Sequence, residues 1–345
     1  MRKLSFQFIS LFLIASLLLV GCRENKKTGI KATAVEKVAV DEFKVLATYL
    51  ESNGDFINSA SVPAMIKTKE VFENRGNPKY KIIDLRKNED YAAGHIENAV
   101  NVLSKDMFNY FENTLSPRDY EKIAFVCYSG QHASYTTGIM RLLGYDNVYA
   151  MKYGMSSWDK DLAKTKWSKN ISNDYADKLE MTANKKANKG AYPVLNTGKT
   201  KGINILEERA KIALAIPYKS LLVKAPKLFE NPTNYYTVNY WPEEKYNMGH
   251  VPGAIQYTPK KSLGTATELA TLPTNKEIVT YCYTGQHAGF VTAYLQVLGY
   301  DAKALAYGAN SFMNGVLKEK GKKWYPFSAK KIEGYDLVKE TELVN

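Results

Sequence analysis

The sequence predicts an α/β fold present twice: two domains, each a central, mostly parallel β-sheet with helices on both faces. Three observations carry this expectation. First, a six-residue string recurs almost unchanged, as Cys127-Tyr128-Ser129-Gly130-Gln131-His132 and Cys282-Tyr283-Thr284-Gly285-Gln286-His287, 155 positions apart. The only other histidines, His95 and His250, follow glycines at the same 155-residue offset. Second, residues 121–146 set against 276–301 give 12 identities in 26 without a gap. Third, short continuous apolar runs alternate with helical stretches, the pattern of parallel strands covered on both faces.

In chain order, residues 1–21 read as a processing segment. Arg2 and Lys3 are basic, Phe8 to Val20 is apolar with only two serines, and the run is shorter than the roughly 18 residues of a membrane span. The ending Leu19-Val20-Gly21-Cys22 resembles a bacterial lipobox, which makes Cys22 the expected lipidation site and residues 22–40 a tether. A lipid anchor at the extracytoplasmic face of the cell envelope is the expected location. Domain 1 is expected over 41–165, with apolar runs at Tyr80 to Leu85, Ile123 to Val126 and Val148 to Met151. A helix with one apolar stripe is expected over 133–143, stopped by Gly144. Residues 166–203, rich in Lys, Asn and Asp, read as a linker. Domain 2 is expected over 204–330, with matching runs at Tyr235 to Val238, Ile278 to Tyr281 and Lys303 to Ala306, a helix over 288–298 and a stop at Gly299; 331–345 is a tail.

Composition narrows the function classes. A hydrophobic content of 45% in 345 residues suffices for a core in each domain. The formal charge of +12 falls to +10 when Arg2 and Lys3 leave with the leader, and the excess lies in scattered lysine pairs such as Lys185-Lys186 and Lys260-Lys261. These are solvated faces, with no nucleic-acid-binding module among them. With Cys22 lipidated, the remaining thiols are Cys127 and Cys282, one per copy, which suggests reactive thiols rather than a disulfide framework. Neither copy has a close Cys or His pair of the usual ligand spacing, so no metal site is expected.

The repeated loop has its own chemistry. A strand ending in cysteine, a tight turn through Gly130 or Gly285, and then a helix aim backbone N–H groups at the sulfur. An ordinary thiol of pKa about 8.5 is only about 3% thiolate at pH 7, and a two-unit depression, worth roughly 2.7 kcal/mol, would make the thiolate dominant. Such a cradle suits a nucleophile and a bound persulfide equally. His95 and His250, in turns after helices, are expected to be hydrogen-bonding turn residues rather than catalytic groups.

The combination of Asp84-Leu85-Arg86, Gly94-His95-Ile96 and the Cys127 loop, with Gly249-His250-Val251-Pro252-Gly253-Ala254-Ile255 before the Cys282 loop, resembles a tandem rhodanese, the thiosulfate sulfurtransferase superfamily. The resemblance covers roughly residues 55–160 and 210–316. It implies that Cys127 and Cys282 carry sulfane sulfur as persulfides, from a small sulfur donor to a thiol, protein or cyanide acceptor, without a cofactor. It also implies that Tyr128, Ser129, Gly130, Gln131 and His132, with Tyr283, Thr284, Gly285, Gln286 and His287, form the loops around the sulfurs. The six-residue loop length goes with sulfur transfer, whereas phosphate- and arsenate-acting relatives have one residue more. This sequence departs from the pattern where the family commonly has cations: Tyr128 and His132, or Tyr283 and His287, stand there instead. A weaker grip on anionic donors and a pH dependence through the histidines are therefore expected, and the alternative is a non-catalytic sulfur-binding or docking module. Asn239 and Trp241 also replace the Asp84 and Arg86 pair in the second copy.

Overall fold

A computed structural model describes residues 40–339; the leader, Cys22 and nearly all of the tether, like residues 340–345, lie outside the described residues. The first sheet consists of β1 (Met65–Ile66), β2 (Tyr80–Asp84), β3 (Ala99–Asn101), β4 (Lys122–Val126) and β5 (Val148–Met151), in the order β1-β5-β4-β2-β3. The second repeats it with β6 (Leu222–Val223), β7 (Tyr236–Asn239), β8 (Ile255–Gln256), β9 (Ile278–Tyr281) and β10 (Ala302–Leu305), in the order β6-β10-β9-β7-β8. Within the two sheets every strand pairing is parallel. The central strands β4 and β9 are apolar along their length because helices cover both faces: Ile123, Ala124, Phe125 and Val126 are all buried, as are Ile278, Val279, Thr280 and Tyr281.

Each central strand runs directly into its cysteine and then into a long helix, Gln131–Leu142 or Gln286–Val297. These two helices lie against each other. The amphipathic stripe expected from the sequence is replaced by burial nearly all round, because the face turned from one sheet meets the other helix. Their approach is close enough to need glycine. A Cβ on Gly138 would sit 2.9 Å from that of Ala293, and one on Gly289 would sit 3.0 Å from the Gln131 carbonyl oxygen. One apolar core consequently runs through both halves, from Ile83, Phe125 and Ile139 across to Tyr257, Leu295 and Leu298. Two smaller clusters cover the outer faces, around Trp158 in the first half and Phe312 in the second.

The segment after each sheet crosses to the other half. Following the first, Ser172 N–H donates to the Asn310 carbonyl (3.1 Å), and Glu180 pairs in antiparallel fashion with His250. Following the second, Glu333 and Tyr335 N–H groups donate to Ser157 and Trp158 carbonyls, Tyr335 stacks on Phe72 at 3.9 Å, and Val338 pairs with His95. Stretches read from composition as linker and tail thus carry packing residues. Trp167, fully buried, sits among Tyr153, Tyr307 and Phe327, and its indole N–H donates to the Ser129 carbonyl at 3.0 Å.

Candidate active site

Both repeated cysteines stand at the C-terminal edge of a parallel sheet, on the strand between two neighbours, where loops of an α/β sheet converge. Gly130 and Gly285 take φ of 83° and 72°, the left-handed turn that points the following amides back at the sulfur. Cys127 Sγ accepts from Gly130 N–H at 3.1 Å and from Ala133 N–H at 3.3 Å, while Cys282 Sγ accepts from Ala288 N–H at 3.4 Å. Among the described residues, every hydrogen-bond donor to either sulfur is a backbone amide. Both thiols are free, with residue exposures of 1% and 3%.

The electrostatics modify the expectation of a depressed thiol. Burial pushes both thiols up, and the amides of Ala133, Ser129 and Gly130, or of Ala288, Thr284, Gly285 and His287, pull in the opposite direction without prevailing. The Asp84 carboxylate adds to the upward push on Cys127. In this closed arrangement the cradle therefore holds a thiol, and its amides are set to stabilise an anion once water or a charged sulfur enters.

The loop residues divide by position. Tyr128 points outward: its hydroxyl donates to Asp90, and the Lys166 ammonium lies 4.5 Å from its ring centroid. Tyr283 is stacked on Trp241 at 4.7 Å, so the tryptophan standing in place of Arg86 supports the loop tyrosine by ring contact. Arg86 itself pairs with Asp84 at 2.7 Å and donates to the Gly94 carbonyl, a buried brace of the Gly-His turn. In the second copy Asn239 donates instead to the Tyr281 hydroxyl, which accepts the Val251 amide as well. His95 and His250 are turn residues, each with Nδ1 on a carbonyl one turn back, at 2.9 Å, and its ring on Tyr91 or Tyr246.

His132 and His287 do not supply the missing cations. Burial pushes them down to about 4 and about 3, respectively, so both are neutral at physiological pH. His132 shares a hydrogen bond with Ser104 Oγ at 2.6 Å and stacks on Tyr218 of the second half at 4.9 Å; His287 meets Tyr240 edge to face. The linkage has a definite sign. An unfolded histidine, with its ordinary pKa near 6.5, takes up a proton that these folded ones refuse, so stability present above about pH 6.5 is lost as pH falls towards 4 and 3. We expect the thermal unfolding midpoint to drop over that window, and the drop to shrink when both histidines are replaced by glutamine. An unchanged pH slope in His132→Gln/His287→Gln would contradict the assignment.

Sequence reasoning missed the turn behind each loop. Met155 N–H donates to the Cys127 carbonyl (2.8 Å) and Ser156 N–H to that of Tyr128 (3.2 Å); Ala309 and Asn310 do the same for Cys282 and Tyr283 at 2.9 and 3.2 Å. Gly154 and Gly308 press against the loops so closely that a Cβ would lie 2.9 Å from the amide nitrogen of Ser129 or Thr284. The signal was present as a second repeat, Tyr153-Gly154 and Tyr307-Gly308. Tyr218, by contrast, left no signal; it is buried over His132, and its hydroxyl has no hydrogen-bond partner among the described residues. No cluster of three or more His, Cys, Asp or Glu suited to a metal ion occurs among the described residues.

Comparison with a family model agrees with this two-domain architecture. The profile of the Rhodanese-like domain family matches residues 67–161 and 238–314. Curated relatives include the tRNA uridine(34) hydroxylase of Buchnera aphidicola subsp. Acyrthosiphon pisum, 27% identical over 112 residues, or 32% of this chain; the match spans only 35% of that protein's length. Among solved structures, a thiosulfate sulfurtransferase from Pseudomonas aeruginosa is 16% identical over 74% of this chain and 45% of its own, with a TM-score of 0.29. The 3-mercaptopyruvate sulfotransferase SseA from Escherichia coli is 17% identical over 70% of this chain and 97% of its own, with a TM-score of 0.26.

Proposed function

Since the chain is built of two rhodanese-like domains, we propose that it is a sulfurtransferase in which Cys127 and Cys282 each carry sulfane sulfur as a persulfide. The observation that supports this most directly is the cradle itself: two free thiols at equivalent sheet edges, each with backbone amides as its hydrogen-bond donors. The thiolate attacks the sulfane sulfur of a donor. A new S–S bond forms at cysteine, the donor's S–S bond breaks, and its remaining fragment leaves as an anion. An acceptor thiolate or cyanide then attacks the outer sulfur and returns the cysteine as thiolate, so no external oxidant or reductant is consumed. In both states the negative charge faces the same amides.

The cradle's chemistry also bears on the donor. With neutral His132 and His287 and with tyrosines at the second loop position, nothing cationic hydrogen-bonds the sulfur. A donor of lower charge, such as a polysulfide or low-molecular-weight persulfide, fits better than dianionic thiosulfate. The lipobox-like ending at Cys22 supports a lipid-anchored place in the cell envelope. The test exposes the full chain to each of the three donors and maps added sulfur to individual peptides. One sulfur atom is expected on Cys127 or Cys282, more readily from persulfide or polysulfide, and faster as pH rises because burial holds the thiols protonated. Uptake from no donor would leave the non-catalytic docking module as the reading.

A further inference from the structure

The two nucleophile loops are tied to each other through their fifth residues. Gln131 leaves its own loop and crosses to the second half, where its Oε1 accepts the Tyr307 N–H at 2.7 Å and its Nε2 donates to the Leu305 carbonyl at 3.2 Å. Gln286 makes the reciprocal crossing, its Oε1 accepting the Tyr153 N–H at 3.2 Å. Both side chains are almost wholly buried, at 1% and 2% exposure, so these bonds are formed away from water. Each lies against the other loop's glycine, a position where a Cβ on Gly130 or Gly285 would collide with the crossing amide.

What the glutamines hold is the turn that shapes the other half's cradle. Tyr153 and Tyr307 both have φ of 60°, a conformation costly for a residue with a side chain, and each is followed by the glycine pressed on its own nucleophile loop. The amides after that glycine hold the carbonyls of Cys127 and Tyr128, or of Cys282 and Tyr283. A continuous path thus runs from Gln286 through the Tyr153 turn to the Cys127 loop, and from Gln131 through the Tyr307 turn to the Cys282 loop. The geometry points to Gln131 and Gln286 as positioning residues that act in trans, each setting the reactivity of the cysteine in the opposite half rather than its own. The coupling is unequal. Gln131 makes two hydrogen bonds across the interface, whereas Gln286 makes one, longer, with its Nε2 unpaired among the described residues.

This inference rests on both thiols being reactive but not on sulfur being their substrate, so it is read by alkylation. In the full chain, iodoacetamide modification of Cys127 and Cys282 is followed separately by peptide mass analysis across pH. The parent is compared with Gln131→Ala and Gln286→Ala, and with Gln131→Met and Gln286→Met, which keep the side chain's length and packing. Replacing Gln131 should change the Cys282 rate constant roughly fivefold, the equivalent of about one hydrogen bond, and displace its pH midpoint by about 0.7 unit, a larger change than at Cys127 in its own loop. Replacing Gln286 should do the converse more weakly. An effect confined to the cysteine of the same loop, an equal effect on both, no effect, or thiols unreactive in the parent would each overturn the assignment. A protein that alkylates in trans-dependent fashion yet takes up no sulfur would retain this coupling and lose the proposed function.

Discussion

Full-length protein carrying both Cys127→Ser and Cys282→Ser is expected to acquire no sulfur on the peptides of either loop from persulfide, polysulfide or thiosulfate, and to unfold within a few degrees of the parent. An oxygen in place of Sγ cannot form the S–S bond on which transfer depends. It can, however, accept from the Gly130, Ala133 and Ala288 amides that serve the sulfur, so the substitution costs only about 1–2 kcal/mol. Loss of uptake with retained folding therefore isolates the chemistry from the scaffold. Each single variant should remove the sulfur of its own half, and the difference between them ranks the two sites. Peptide mapping keeps Cys22 out of the count. Undiminished uptake by the double variant would place the sulfur elsewhere and end the proposal.

The second large effect is expected from one methyl group. Gly154 has φ 59° and ψ −152°, a region nearly closed to other residues and costing about 1–3 kcal/mol to occupy with a side chain. Its Cβ would also fall 2.6 Å from the Gly130 nitrogen and against the Cys127 carbonyl oxygen, both of them backbone atoms of a packed loop. Gly154→Ala should consequently lower the unfolding midpoint and distort the Cys127 cradle far more than that of Cys282, and Gly308→Ala the reverse. A ratio of the two alkylation rates unchanged from the parent in either variant would show that the turn does not shape the loop.

Much of this architecture was legible because it was written twice. The strands β2, β4 and β5 and their counterparts announce themselves by apolar runs, and the cysteines by a string no packing requirement would duplicate. The edge strands β1, β3, β6 and β8 did not, since two or three residues carry no periodic signal. The helices after the cysteines were expected to show a single apolar stripe, but the polar Thr136, Thr137 and Thr292 are buried as well, a tertiary fact that propensity does not contain. The charge state of His132 and His287 was not readable in the sequence, because burial sets it. That burial comes from residues remote in sequence, among them Tyr218, stacked on His132, and Tyr240, edge to face with His287, and the nearby Lys260 charge adds to the downward push on His287. The same holds for Gln131 and Gln286, whose partners lie more than 130 residues away.

Gene duplication ordinarily leaves two portable modules that can be shuffled, lost or shared out among proteins. The exchanged segments, 172–180 binding the second half and 333–338 binding the first, withdraw that freedom. Either repeat expressed by itself would expose the face its sibling covers and lack the segment that pairs with its Gly-His turn, so the two halves are expected to melt together in one calorimetric transition.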